Sequence, residues 1–418
     1  MPEINRMEIS RFNCTLYLMI ALSGASGISA ADTADPAPFR AVTPLNFDAG
    51  GAVSRQFHLH AESYLETATV ARTGPAHNLD VRTRAELAGY PVSHRDGRSS
   101  FEKYIASDAL LDSVIVTHNG NIVFESYPAM KPWQRHFAWS VSKIFAAAAI
   151  AALVDQGDID LDQTVGKYIP QLRDSVWNDS SVRDVANMAS GIDCLDEDGY
   201  QNNTTCIYRL EEALDITAPA GYGASFLEHL QSMQRLGESG LRYEYVSANT
   251  NVLMLLVEAA SGEPYATAIR ELIWDRLGPE ADALIAISDE GHAYASGGIL
   301  LRLRDLARFG ELFIRPIDFG AFDVDRVREM RDSGPLLHAE LKAELANTFG
   351  ADLPIRAGWQ WDSIWADGGM FKSGYSGQGL YVDPDRQLVI AWFGTGLDFN
   401  EQTNDMASVS RQLATSGL

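Results

Sequence analysis

The run Trp139-Ser140-Val141-Ser142-Lys143-Ile144-Phe145, continued by four alanines at 146–149, decides how the rest of the chain is read. An apolar, small-residue stretch extends from Ile144 to Val154, and Gly157 stands where a helix C′ glycine is expected. The pattern predicts a helix that starts at the serines and is apolar enough to run through a core. Ser140 and Lys143 are three residues apart, so on a helix they share a face. A serine hydroxyl becomes a nucleophile when a neighbouring base takes its proton. A lysine is such a base once burial or a nearby cation lowers its pKa.

The spacing alone is a weak signal. Ser100-Phe101-Glu102-Lys103 repeats it beside the polar stretch His94-Arg95-Asp96-Gly97-Arg98, with no long apolar helix behind. An ordinary N-cap serine next to a surface lysine fits at either place. The remainder of the chain has to discriminate.

At 418 residues the chain exceeds one small core, and two closely packed domains are expected. Hydrophobic residues make up 46% and charged residues 21%, as in globular proteins. The formal net charge of −23 argues against nucleic acid and anionic membrane as partners. Arg6 and Arg11, the apolar run from Cys14 to Leu22 and the small residues Ser29-Ala30-Ala31 read as a secretory signal over residues 1–31, cleaved before Asp32. That apolar run is too short to span a bilayer. An exported mature protein, periplasmic or secreted, is therefore expected. Of three cysteines, Cys194 and Cys206 remain after cleavage, and in an oxidising compartment two cysteines readily form a disulfide. No CxxC occurs, so zinc and redox sites are not expected. His58-Leu59-His60 offers two ligands on a strand face, with no third in view, and no metal is assigned.

Residues 32–104 show little periodicity and read as an extended N-terminal arm. From residue 105 the pattern sharpens. Ser113–His118 and Ile122–Tyr127 are β-like runs around the tight-turn signal Asn119-Gly120-Asn121. Residues 155–290 look mainly helical, with segments at Ser181–Met188, Leu210–Leu214, Ser225–Arg235, Asn249–Ala260 and Tyr265–Leu277. A further helix is expected over Leu301–Phe313. Gly358–Trp361, Gly379–Val382 and Gln387–Phe393 are strand-like, and a last helix is expected from about Glu401. This order implies a discontinuous α/β domain, 105–154 with 291–418, carrying an inserted helical domain, 155–290.

Two further elements bear on Ser140. Tyr245-Val246-Ser247 precedes a helix, and Lys372-Ser373-Gly374 leads through Tyr375-Ser376-Gly377 into a strand. Singly these read equally well as a core tyrosine with a helix cap and as a glycine-rich hairpin edge. Together with Ser140-Val141-Ser142-Lys143 they match, in order, the three motifs of the penicillin-recognising serine hydrolases. Their separations from Ser140, 105 and 232 residues, suit the class C β-lactamase branch. Val182–Gly191, Ser296-Gly297-Gly298 and Gly377-Gln378 extend the likeness over about residues 105–415. The chain most resembles the 6-aminohexanoate-dimer hydrolase and esterase-like members, which carry Tyr-x-Ser where β-lactamases carry Tyr-x-Asn.

The resemblance implies an α+β fold, an antiparallel sheet flanked by helices with an all-helical insertion, and a site in the cleft between the two parts. It implies Ser140 as nucleophile, Lys143 as its base and Tyr245 as proton relay. The oxyanion hole would be the backbone N–H groups of Ser140 and Tyr375. Lys372, Ser373, Gly374 and Ser247 would contact a small ester or amide, with Lys372 attracting a substrate carboxylate. No metal or organic cofactor is implied. Penicillin binding, β-lactam turnover, D-peptidase action and a catalytically idle binding or sensor domain are the alternatives.

Overall fold

Leu388 to Phe393 is apolar at six successive positions, which a strand with one wet face does not need. In the computed structural model, which describes residues 37–44, 46–200, 202–216, 224–397 and 403–417, this run lies inside an eight-stranded sheet. Its strands are β1 (Leu111–His118), β2 (Asn121–Ser126), β3 (Arg356–Gly358), β4 (Trp361–Ile364), β5 (Met370–Gly374), β6 (Gln378–Asp383) and β7 (Leu388–Gly394). They lie in the order β3-β4-β5-β6-β7-β1-β2, all antiparallel. Asp80–Val81 adds a short parallel edge beside β2.

Both faces are buried. Along β7, Val389, Ala391 and Phe393 belong to one hydrophobic cluster, and Leu388, Ile390 and Trp392 to another. The alternation is the two-residue period of a strand. The principal helices are α1 (Gly51–His60), α2 (Lys143–Gln156), α3 (Cys206–Ala213), α4 (Ser247–Ser261), α5 (Leu303–Ile314), α6 (Ala339–Phe349) and α7 (Met406–Ala414). α7 covers the second cluster with Val409 and Leu413. α5 covers the first, and behind it α2 stacks Phe145 on Phe309 with ring centroids 3.7 Å apart. α2 is buried from Lys143 to Leu153, and Gly157 closes it at φ 84°, a left-handed cap that glycine adopts without strain. α4 packs against α2.

A second, four-stranded sheet orders Thr67–Val70, Ala283–Ala286, Ile299–Leu301 and His136–Phe137. The Ala138 N–H bonds to the Ile299 carbonyl at 2.8 Å, so this sheet sets the point from which the chain enters α2.

The β1–β2 hairpin is as expected. Asn119 and Gly120 both have positive φ, the conformation a two-residue turn between such strands requires. The helix read over Tyr265–Leu277 is continuous, with a π turn at Arg270–Trp274. Other readings are corrected. Gly358–Trp361 is not one strand, because Trp359 and Gln360, at φ 49° and 66°, form the turn between β3 and β4. The described part of 32–104 is not an extended arm. It contains α1, whose Phe57 and His58 are buried, and the hairpin Pro91–His94 with Gly97–Ser100. His58 and His60 therefore lie on a helix. The described residues from 41 to 417 form one compact unit, and helices within 155–290 contribute to the same hydrophobic cluster as one face of the sheet. Residues 37–40 belong to a separate N-terminal unit, described only as the start of the helix Ala37–Ala41. The expected signal at 1–31 lies outside the described residues, as do residues 398–402, and the last helix begins at Met406. No single helix among the described residues is long and apolar enough to cross a membrane.

Candidate active site

After Ala138 the backbone takes φ 47° at Trp139, a left-handed conformation unusual for a bulky residue. A 3₁₀ turn, Trp139–Ser142, follows and continues as α2. Ser140 thus sits in the first turn, where a backbone N–H has no intrahelical partner to satisfy. The Trp139 indole N–H donates to His58 Nε2 at 2.9 Å. His58 Nδ1 faces Thr395 Oγ1 at 3.3 Å, and that hydroxyl donates to Asp112 at 2.6 Å. Asp112 also accepts from Arg55 at 2.6 Å and faces His136 Nε2 at 3.1 Å. Burial raises the Asp112 pKa, but the bond to His136 and the charge of Arg55 outweigh it and the net shift is downward. The ligand atoms of His58, Asp112 and His136 lie within 4.8 Å of one another, yet hydrogen bonds already occupy them. This buried network is the footing of the turn that carries Ser140.

Lys143 Nζ lies 3.1 Å from Ser140 Oγ and donates to the Ser296 carbonyl at 2.7 Å. Lys143 is 1% exposed, and burial lowers its pKa to about 7, aided by the charge of Lys372 and opposed by Asp196. Tyr245, just ahead of α4, lines the same cavity as Ser140. Burial raises its pKa well above the usual value, and the carboxylates of Asp362 and Asp196 add to the effect. Lys372 on β5 donates to Tyr245 Oη at 2.9 Å and to Asp362 Oδ1 at 2.5 Å. A Cβ on Gly374 would come within 2.8 Å of the Ala138 carbonyl oxygen, so glycine there lets β5 approach the chain just before the nucleophile. Tyr375 follows, its ring edge-on to Trp139 at 5.3 Å.

Ser140 opens into a cavity of about 190 Å³. Its lining includes Tyr245, Ser373 and Tyr375 together with the carboxyl groups of Asp48, Asp196 and Glu211. Burial pushes the Glu211 pKa up to about 8, against the lowering effect of its hydrogen bond from Tyr294 (2.6 Å). A larger cavity of about 1200 Å³ lies beyond, where Tyr245, Asp362 and Ser373 meet Tyr243, Leu341 and Leu345. Asp196 is held by Ser247, whose N–H and hydroxyl donate to it at 2.7 and 2.5 Å, and by the Tyr200 hydroxyl. Cys194, two residues before Asp196, is bonded to Cys206 at the start of α3, with Cα atoms 5.0 Å apart.

The structure brings Ser140, Lys143, Tyr245, Ser373, Gly374 and Tyr375 together. It moves two residues away from the substrate contacts expected of them. Lys372 is fully buried and paired with Asp362, so it has no free charge for a substrate carboxylate. Ser247 is buried and spends both its donors on Asp196. Asp362, Asp196 and Glu211 carry no motif in the sequence, and His58, read there as one of two ligands on a strand face, instead accepts the Trp139 indole N–H from a helix. The nearness of Asp196 to Cys194 was the one trace of those three carboxylates in the sequence. Ser100 is an N-cap, accepting from the Lys103 N–H at the start of the short helix Phe101–Ser107.

The β-lactamase family matches residues 101–415. The 6-aminohexanoate-dimer hydrolase of Paenarthrobacter ureafaciens is 31% identical over 251 residues, 60% of this chain, and the match spans 62% of that relative's length. A candidate 6-aminohexanoate-dimer hydrolase from Bacillus anthracis superposes with TM-score 0.72 at 22% identity, covering 90% of this chain and 95% of the other. A class C β-lactamase variant superposes with TM-score 0.51 at 16% identity, covering 73% and 92%. With the three motifs converging on one cavity and the family match running through most of its length, the chain belongs to the β-lactamase family, among the penicillin-recognising serine hydrolases.

Proposed function

We propose that this protein cleaves an amide or ester bond of a small molecule through an acyl-enzyme on Ser140. The observation that carries the reading is the 3.1 Å approach of Lys143 Nζ, with its pKa lowered to about 7, to Ser140 Oγ at the wall of a cavity. Neutral Lys143 accepts the Ser140 proton as Oγ attacks the carbonyl carbon. The N–H groups of Ser140 and Tyr375 receive the oxyanion. Tyr245, lining the same cavity as Ser140 and steadied by Lys372, passes a proton to the leaving group, which departs toward the larger cavity. Water activated by Tyr245 then releases the acyl group.

The acyl side is the smaller cavity, and its three carboxyl groups favour an acyl chain ending in an ammonium rather than in a carboxylate. The printed name of the Paenarthrobacter ureafaciens relative agrees on an amine-bearing acyl unit, while the leaving unit of such a dimer carries a carboxylate. The Cys194–Cys206 bond supports an exported chain. A fluorophosphonate probe is expected to label the wild-type protein and not Ser140→Ala. Equal labelling of the two, or none of either, would sink the assignment.

A further inference from the structure

Asp362 and the pair Lys372 and Ser373 lie on the neighbouring strands β4 and β5. The Asp362 carboxylate is met on both oxygens. Oδ1 accepts from Lys372 Nζ at 2.5 Å, and Oδ2 accepts from the Ser373 N–H at 2.8 Å and the Ser373 hydroxyl at 2.6 Å. A cation, an amide N–H and a hydroxyl converging in this way form a carboxylate receptor. It stands next to the chemistry, because the same Nζ reaches Tyr245 Oη at 2.9 Å. It also faces open space. Asp362 keeps 15% of its side-chain surface exposed and borders the larger cavity together with Tyr245 and Ser373.

Resting on the proposed hydrolase reading, in which the leaving group departs past Tyr245, we propose that Asp362 is a specificity-determining residue that fills a carboxylate subsite from within the chain and so excludes leaving groups bearing a carboxylate. With Asp362 in place the Lys372 charge is already paired and the Ser373 N–H and hydroxyl are already engaged, and an incoming anion meets a like charge in a half-buried setting. Without it, a buried lysine and a serine hydroxyl face the cavity with no anion, and a small carboxylate from solution or from substrate completes them. Asp362 touches no reacting atom. It acts by deciding which leaving groups fit and by holding Lys372 on Tyr245.

The test compares phenyl acetate with 3-acetoxybenzoate, the same ester with a carboxylate on its leaving group. Wild-type kcat/KM is expected to favour phenyl acetate by about 10-fold or more, the size of one charged contact. Asp362→Asn keeps the shape and loses the charge, and is expected to erase that preference. Asp362→Ala leaves a gap the size of formate. Sodium formate is expected to raise its phenyl acetate turnover about 10-fold, saturably, and to raise its Tm, with sodium chloride at equal ionic strength doing neither and wild type unmoved. Accumulation of folded Asp362→Ala only in formate-containing medium would be the same receptor read through folding. Equal wild-type turnover of the two esters overturns the proposal whether or not the variants fold. An unchanged preference in folded Asp362→Asn, or a formate response no larger than that of chloride, also overturns it. Fluorophosphonate labelling of the same wild-type sample separates the failures. A labelled enzyme without discrimination sinks only the role of Asp362, and an unlabelled one sinks the hydrolase reading.

Discussion

Lys143 carries the pH dependence of the proposed reaction. Its neutral form is the base, and burial places its pKa at about 7, so kcat/KM on a neutral ester is expected to climb about tenfold per pH unit below 7 and level off above it. A profile flat from about pH 5 to 9 would rule out this role. Lys143→Arg keeps a charge that never leaves at such pH, and turnover is expected to fall by ~10²–10⁴. Glu211 makes the second residue-scale prediction. Assayed above about pH 8, where Glu211 is ionised, Glu211→Gln should raise KM about 10-fold for an aminoacyl ester and leave the uncharged analogue nearly unchanged, and equal changes on both would discard the contact. The nucleophile and its base were legible because they lie one turn apart on a single helix. Lys372 was legible as a motif residue but not as a buried one. The carboxylate that neutralises it sits across a strand pair, and nothing local distinguishes Asp362 from the chain's many other acids.

The elements divide into those whose own pattern specifies them and those set by their neighbours. The β1–β2 hairpin, α2 with its closing glycine, and β7 announce themselves through turn chemistry, an unbroken apolar run and β-branched or aromatic residues. The turn at Trp359 and Gln360 does not. Gln360 takes up its conformation by bonding Thr250 at 2.7 Å and the carbonyls of Val185 and Ala186, partners more than 100 residues away. α1 was missed because its buried Phe57 and His58 sit among Arg, Gln and further His residues that blur the apolar stripe. At this scale Gly310 in α5 offers a test. Alanine is the better helix former by about 1 kcal/mol, yet a Cβ at 310 would lie 2.4 Å from Val389 Cγ1 on β7. Gly310→Ala is expected to cost ~1–3 kcal/mol in urea unfolding, and Val389→Ala in the same chain to return part of it. Additive losses would show that the helix–sheet contact is looser than it looks. Ser100→Ala, which removes only a cap, is expected to cost about 1 kcal/mol and leave turnover intact.

Across the molecule, a sheet buried on both faces sets the site where the turn that opens α2 meets the end of β5. Strand and helix order conveyed that much, while the sharing of one hydrophobic cluster by helices of 155–290 and the sheet depends on contacts between distant segments. Of the chain's many carboxylates, those that matter most here are the ones turned inward at Asp196 and Glu211. One covalent bond joins the segments that bear them. Cys194 stands just before Asp196, and Cys206 opens the helix that presents Glu211. Closing so short a loop is worth ~3 kcal/mol at most, modest for a chain with this much core. Unreduced protein is expected to be two hydrogens lighter by intact mass, and two free thiols in exported material would contradict the pairing. Its larger effect falls on recognition. The segments that bear Asp196 and Glu211 keep their spacing along the acyl cavity through a bond that an oxidising compartment completes. Reduced protein should therefore turn over a neutral ester at an unchanged kcat while its KM for an amine-bearing ester rises, so that the state of one bond, with no change in the catalytic groups, sets how selective the enzyme is.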